Sequence, residues 1–158
     1  MLLLHGNINH ISLIDVSKAM LGRARKRLTS AGLIQRVEII NATFANIPHS
    51  TASFTGALAS MVIHNLVKTD DLGHVNDWSP IISAFEEANR LLKANSVFVV
   101  VFSTPEQRGG NWYTHLVPQS RLRTIARCPA KSQVMRFLEQ TGFDVVNLQK
   151  FVFVLILS

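Results

Sequence analysis

Residues Ile11-Ser-Leu-Ile-Asp-Val-Ser-Lys-Ala-Met-Leu21 decide the fold. Ile11–Ile14 is a short apolar run ending in Asp15 and reads as a buried strand. Ser17 then suits a helix N-cap, and Met20, Ala24 and Leu28 fall at i, i+4 and i+8 of a helix over Lys18–Ala31. Gly32 stands where such a helix closes. Strand and helix therefore meet at Asp15.

Downstream the alternation continues. Val37–Ile40, rich in β-branched residues, predicts a second strand. Ile47-Pro48 and a Ser/Thr turn lead to the apolar strand Gly56–Val62. Lys68–Trp78, with Asp70, Asp71, Gly73 and Asp77, reads as an irregular loop. Ser79 suits an N-cap and Pro80 a first helical position, opening a helix over Pro80–Lys93 with a stripe of Ile82, Phe85, Ala88 and Leu92. Val97–Phe102 is continuous and β-branched, bounded by Asn95 and Pro105. A polar loop with Gly109-Gly110 and Trp112-Tyr113 follows, then a helix over Lys131–Thr141 closed by Gly142, and strand over Phe143–Leu157. This order predicts a single α/β domain over residues 1–158, with a mostly parallel sheet and helices on both faces. Ligands of such folds sit outside the carboxyl ends of the strands, here just after Ile14, Ile40, Met61 and Phe102.

Composition sets the outer bounds. A chain of 158 residues with 47% hydrophobic and 16% charged residues is one domain in length and too apolar for disorder. Its longest apolar runs, Val97–Phe102 and Phe151–Leu157, fall far short of the ~20 residues that span a bilayer. Met1–Leu4 carries leucines without a basic flank or cleavage site, so no secretory signal is expected. The single Cys128 excludes an internal disulfide and a multi-cysteine zinc site, and a cytoplasmic location is the expectation. His5, His10, His49 and His74 lack metal-ligand spacing, so no metal is expected.

The net charge of +6 is unevenly placed. Lys18, Arg23, Arg25, Lys26, Arg27 and Arg36 form one stretch free of acids, and Arg121, Arg123, Arg127, Lys131 and Arg136 a second. Such stretches fit a solvated helix face or a polyanion-binding module, and no aromatics are interleaved for base stacking. Nucleic acid is therefore not the expected partner.

Four phrases in order resemble the class I S-adenosylmethionine-dependent methyltransferases, in the small-molecule group often called type 11. They are Leu13–Leu21, Ile47-Pro48 through Ser53-Phe54, Phe85-Glu-Glu-Ala-Asn-Arg-Leu-Leu-Lys93, and Phe137-Leu-Glu-Gln-Thr-Gly-Phe143. The resemblance covers roughly residues 11–150 and implies a Rossmann-like fold, S-adenosyl-L-methionine as cofactor and a small-molecule methyl acceptor. It implies Asp15 as the acid on the ribose hydroxyls, a role that a carboxylate at a strand end suits physically. Val16 and Met20 would press on the adenine face, Thr43 and Phe44 would touch the ring, and Ser60 and Met61 would face the methionine part. A charge at a helix start and a plain core methionine are the structural readings of Asp15 and Met20.

The sequence also departs from the family. Its glycine-rich loop is absent: only ten residues precede Ile11, whereas a strand–loop–helix unit needs roughly 25 more. Thr43 stands where the family has an acid, Thr55 where it has Asp, and Asn95-Ser96 where it has Gly-Gly. The first strand and helix are thus expected to be missing or incomplete. An N-terminally truncated enzyme and a degenerate paralogue that serves as a non-catalytic scaffold, binding a partner or a complete homologue, both remain open.

Methyl transfer from a sulfonium is an in-line displacement that mainly needs alignment in a dry pocket. A base is required only where the acceptor must lose a proton. His64 and His115 are the candidates by position, and Trp112 and Tyr113 the candidates for walls of an acceptor pocket; structural roles stand beside all four.

Overall fold

The computed structural model describes residues 8–69, 75–104, 128–148 and 154–157. In chain order the strands are β1 (Ile11–Asp15), β2 (Val37–Asn41), β3 (Phe54–Ser60), β4 (Lys68–Thr69), β5 (Val75–Asp77), β6 (Leu92–Val101), β7 (Asp144–Leu148) and β8 (Val154–Leu157). The helices are α1 (Lys18–Ser30), α2 (Ser79–Leu91) and α3 (Lys131–Gln140), with single 3-10 turns at Ile34–Arg36 and Ile63–Asn65. The chain separates into two compact units, Met1–Pro48 and His49–Ser158.

The first unit is a strand–helix–strand. β1 and β2 run parallel in register, from Ile11 opposite Val37 to Asp15 opposite Asn41. Ser17 caps α1 as its sequence predicts, its hydroxyl accepting from the Met20 amide at 3.3 Å. At the other end Gly32, at φ +68°, and Leu33 turn their amides back onto the carbonyls of Thr29 and Leu28. The Arg36 side chain returns to the backbone carbonyls of Ile8 and Asn9. Only Leu21, Val37 and Ile47 are buried among the described hydrophobic residues here, so this unit has little core of its own.

The second unit carries a four-stranded sheet in the order β3-β6-β8-β7. β3 lies parallel to β6, whereas β8 runs antiparallel to both of its neighbours. The stretch expected as one strand over Phe143–Leu157 is thus two, β7 and β8, paired with each other. Along β6 the period of two puts Ser96, Phe98 and Val100 inside, with Val97, Val99 and Val101 half-buried on the opposite face. α2 packs on β6 and on α3, and α3 on β7. The Phe98 ring sits between those of Phe85 and Phe143, at centroid separations of 5.7 and 5.1 Å. Ile81, Val134, Leu138 and Val100 complete this core.

Two more expectations are corrected. α2 begins at Ser79 rather than Pro80, with Trp78 as N-cap, and its buried stripe is Ile81, Ala84, Phe85, Ala88 and Leu91. Ile82 is only half-buried, and Leu92 is buried as the first residue of β6. The segment expected as an irregular loop contains an antiparallel pair, Lys68 opposite Asp77 and Thr69 opposite Val75. A 2.9 Å ion pair between Lys68 and Asp77 closes it, an interaction that local composition does not signal.

Side-chain clamps hold the loops of this unit. Asn89 donates to the carbonyls of Thr141 (2.9 Å) and Gly142 (3.3 Å), tying α2 to the end of α3. Gly142 is at φ +86°, and a Cβ there would lie 2.9 Å from the Asn89 amide nitrogen. Arg90 donates to Glu87 at 2.6 and 2.7 Å and to the His49 carbonyl at 2.9 Å. The paired Glu87 carboxylate raises the pKa of the Arg90 guanidinium.

Candidate cofactor-binding site

The site begins with the bend between β1 and α1. Asp15 ends its strand half-buried, and its Oδ1 accepts from the Ser17 amide at 2.7 Å, an Asx turn that starts the helix. This is the helix-start role that the sequence also allowed. It occupies one carboxylate oxygen; among the described residues Oδ2 accepts no bond and remains available to a ligand hydroxyl. Asn41, opposite Asp15 in the ladder, donates from Nδ2 to the carbonyls of both Asp15 and Val16 at 2.9 Å. The neighbouring strand therefore fixes the backbone that carries the acid.

Around this bend the side chains are apolar and exposed. Val16 is 65% and Met20 51% accessible, so Met20 is not the core methionine of the structural reading. A solvent-facing apolar pair beside a half-satisfied carboxylate fits the chemistry of a nucleoside, which offers a diol and a flat ring. Thr43 and Phe44 follow β2 directly, in a turn where the Asn46 amide donates to the Thr43 carbonyl at 3.2 Å. Thr43 is exposed and Phe44 half-buried. The structure thus places Asp15 and Val16 at the end of β1, with Met20 on the first turn of α1 and Thr43 and Phe44 in the segment after the aligned strand β2.

Ser60, Met61 and His64 belong to the second unit. Ser60 ends β3 and is exposed. Met61 follows at φ +53°, a left-handed conformation that costs a residue with a Cβ about 1–2 kcal/mol. It is held there by its amide, which donates to the Val101 carbonyl at 2.8 Å, and by Ser103, whose hydroxyl lies 4.0 Å from the Met61 sulfur. Strain kept at the carboxyl end of a parallel strand is a mark of functional positions. His64 lies half-buried on the 3-10 turn after β3. His115, Trp112 and Tyr113 lie outside the described residues.

Sequence reading missed Asn41 and Ser103. The signal for Asn41 is register: once β1 and β2 are aligned in parallel, an amide side chain falls beside the bend. Asn95 is at φ +60°, which asparagine tolerates better than most residues; it lies in β6 where the pairing with β3 shifts register between Phe54 and Gly56. Among the described residues no group of three His, Cys, Asp or Glu could hold a metal.

The strands and helices define a Rossmann-like α/β fold, with the candidate residues at strand ends. Residues 1–100 match the family described as "Methyltransferase domain", and the chain belongs to that family. A curated relative, the ubiquinone/menaquinone biosynthesis C-methyltransferase UbiE of Brucella anthropi, is 24% identical over 92% of this chain and 58% of its own length. The chain therefore spans a little over half of the relatives it matches. A solved SAM-dependent methyltransferase from Aquifex aeolicus superposes with a TM-score of 0.66 at 19% identity, over 96% of this chain and 70% of that one. Geranyl diphosphate C-methyltransferase from Streptomyces coelicolor, solved with S-adenosyl-L-homocysteine, gives 0.63 at 12% identity, over 93% and 49%.

Proposed function

We propose that this chain is one methyltransferase-like domain that binds S-adenosyl-L-methionine and serves methyl transfer to a small molecule in the cytoplasm. When bound, the cofactor supplies a methyl group on a positively charged sulfur, already electrophilic. The chain's own residues bind and orient. The free Oδ2 of Asp15 accepts from the ribose hydroxyls, while Asn41 and Ser17 hold that carboxylate's backbone and rotamer. Val16 and Met20 lie against the adenine, with Thr43 and Phe44 beside it. Ser60 and Met61 as contacts to the methionine part, His64 or His115 as proton acceptor, and Trp112 and Tyr113 as acceptor walls rest on the family resemblance. The names of the relatives support a carbon acceptor on a lipophilic molecule of the quinone class.

The observation that carries this reading is the half-engaged Asp15 carboxylate beside the exposed Val16 and Met20. Calorimetry with S-adenosylhomocysteine tests it. Micromolar binding is expected, and Asp15→Ala weakens it about 10- to 100-fold, the worth of a hydrogen bond to a charged group. Undiminished binding by Asp15→Ala sinks the ribose assignment; no heat at millimolar ligand makes the chain a non-catalytic scaffold.

A further inference from the structure

One helix of the first unit carries a run of cations without an acid. Residues 1–48 hold six Lys and Arg against two acids, Asp15 and Glu38. Five of the six, Lys18, Arg23, Arg25, Lys26 and Arg27, are exposed on α1, which contains no acid. At 3.6 residues per turn, Arg25, Lys18, Lys26, Arg23 and Arg27 follow one another around about 200° of the helix. The remaining side holds the buried Leu21 and the half-buried Ala24 and Leu28. Among the described residues none of the five cations has a hydrogen bond or ion pair, whereas Lys68, Arg90 and Arg36 do. A fold that merely needed solubility would be served by mixed signs along this face. Apart from the exposed Met20 at one edge, the solvent-facing side of α1 is cationic throughout.

We infer that the solvent face of α1 docks the domain on an anionic lipid surface. A convex cationic helix matches a plane of headgroups, and the long stems of Lys and Arg let cations on its flanks reach that plane. Nucleic acid fits less well: Phe44 is the single aromatic residue in 1–48, so bases find no stacking platform. The inference rests on the proposed function in one respect, since a lipophilic acceptor of the quinone class resides in a membrane and docking would bring the enzyme to it.

Sedimentation with phosphatidylcholine vesicles, with and without phosphatidylserine, tests the inference on the whole chain. Binding is expected only with phosphatidylserine, and it should fall steeply with added salt. The double variant Arg23→Gln/Lys26→Gln should lose about 25-fold in vesicle partition, about fivefold per cation. Its affinity for S-adenosylhomocysteine should stay that of the unsubstituted chain, because neither residue lies at the Asp15 bend. Equal binding to neutral vesicles, or full binding by the double variant, overturns the inference. Salt-sensitive binding to mixed-sequence RNA without vesicle binding assigns the face to nucleic acid and overturns it as well. Loss of S-adenosylhomocysteine binding alone, with vesicle binding as stated, strikes the proposed function and leaves the lipid surface standing.

Discussion

The two compact units divide the work of the molecule unequally. The second is built around fully enclosed aromatic and aliphatic side chains: Phe85, Phe98, Ile63, Ile81, Ala84 and Val100 have no exposed surface. In the first, every residue of β1 is only half-buried, and among the described residues the buried hydrophobic side chains are Leu21, Val37 and Ile47. Yet the first unit carries the free carboxylate oxygen, the exposed apolar pair and the cationic helix. Cohesion lies mainly in the second unit, and the candidate ribose and adenine contacts lie in the first. Apolar burial supplies most folding free energy, so the first unit is expected to be the less stable, and a ligand there has the most to add.

Breaking the core of the second unit gives the largest expected effect. Phe98→Ala removes the ring that bridges Phe85 and Phe143 and leaves a cavity, at a cost of about 3–5 kcal/mol. The thermal melt should lose its cooperative transition or drop far in temperature. A melt close to that of the original chain means that stability is spread more evenly than the burial pattern says.

Breaking the bend of the first unit gives a smaller and more local effect. Asn41→Ala removes two neutral hydrogen bonds, to the carbonyls of Asp15 and Val16. At about 1 kcal/mol each net, S-adenosylhomocysteine affinity should fall by up to about 30-fold, while the main melting transition stays in place. Hydrogen exchange should quicken at residues 15–17 and leave β6 unchanged. Asn41 acts through the backbone of Asp15, so faster exchange in β6 shows it to be a general support instead of a positioning residue.

What the sequence made legible follows the same division of range. The strand–cap–helix start at Ile11–Leu21 was readable because Asp15, Ser17 and Gly32 act on neighbours within a few residues. The end of α3 at Gly142 was readable for the same reason. The stripe on α2 differs at Ile82 because Ile81 (four before Phe85) and Ile82 (three before it) both fit a face through Phe85 and Ala88 and are chemically equal candidates. Asn41 was invisible because its partners are 25 and 26 residues away and depend on the β1–β2 register. The antiparallel entry of β8 was hidden likewise, since an apolar run does not state the direction of its neighbours.

The Lys68–Asp77 closure belongs to that second, long-range kind, and it yields the smallest and most selective test. Hydrogen bonds from Lys68 and Ser79 hold the Asp77 carboxyl down at about 2, from an ordinary 3.8. The unfolded chain then binds the proton more readily than the folded one. The pair's contribution is therefore fully present above pH 3.8 and is lost as pH falls through about 2. Asp77→Asn keeps an acceptor for the Ser79 amide but removes the charge opposite Lys68. Urea midpoints should show the substituted chain slightly weaker at neutral pH, with the gap closing on approach to about pH 2. Because both partners reach solvent, the whole effect should also shrink in high salt. A gap that persists unchanged to the acid end shows that the pairing of β4 with β5 rests on its backbone ladder and not on the charge of Asp77.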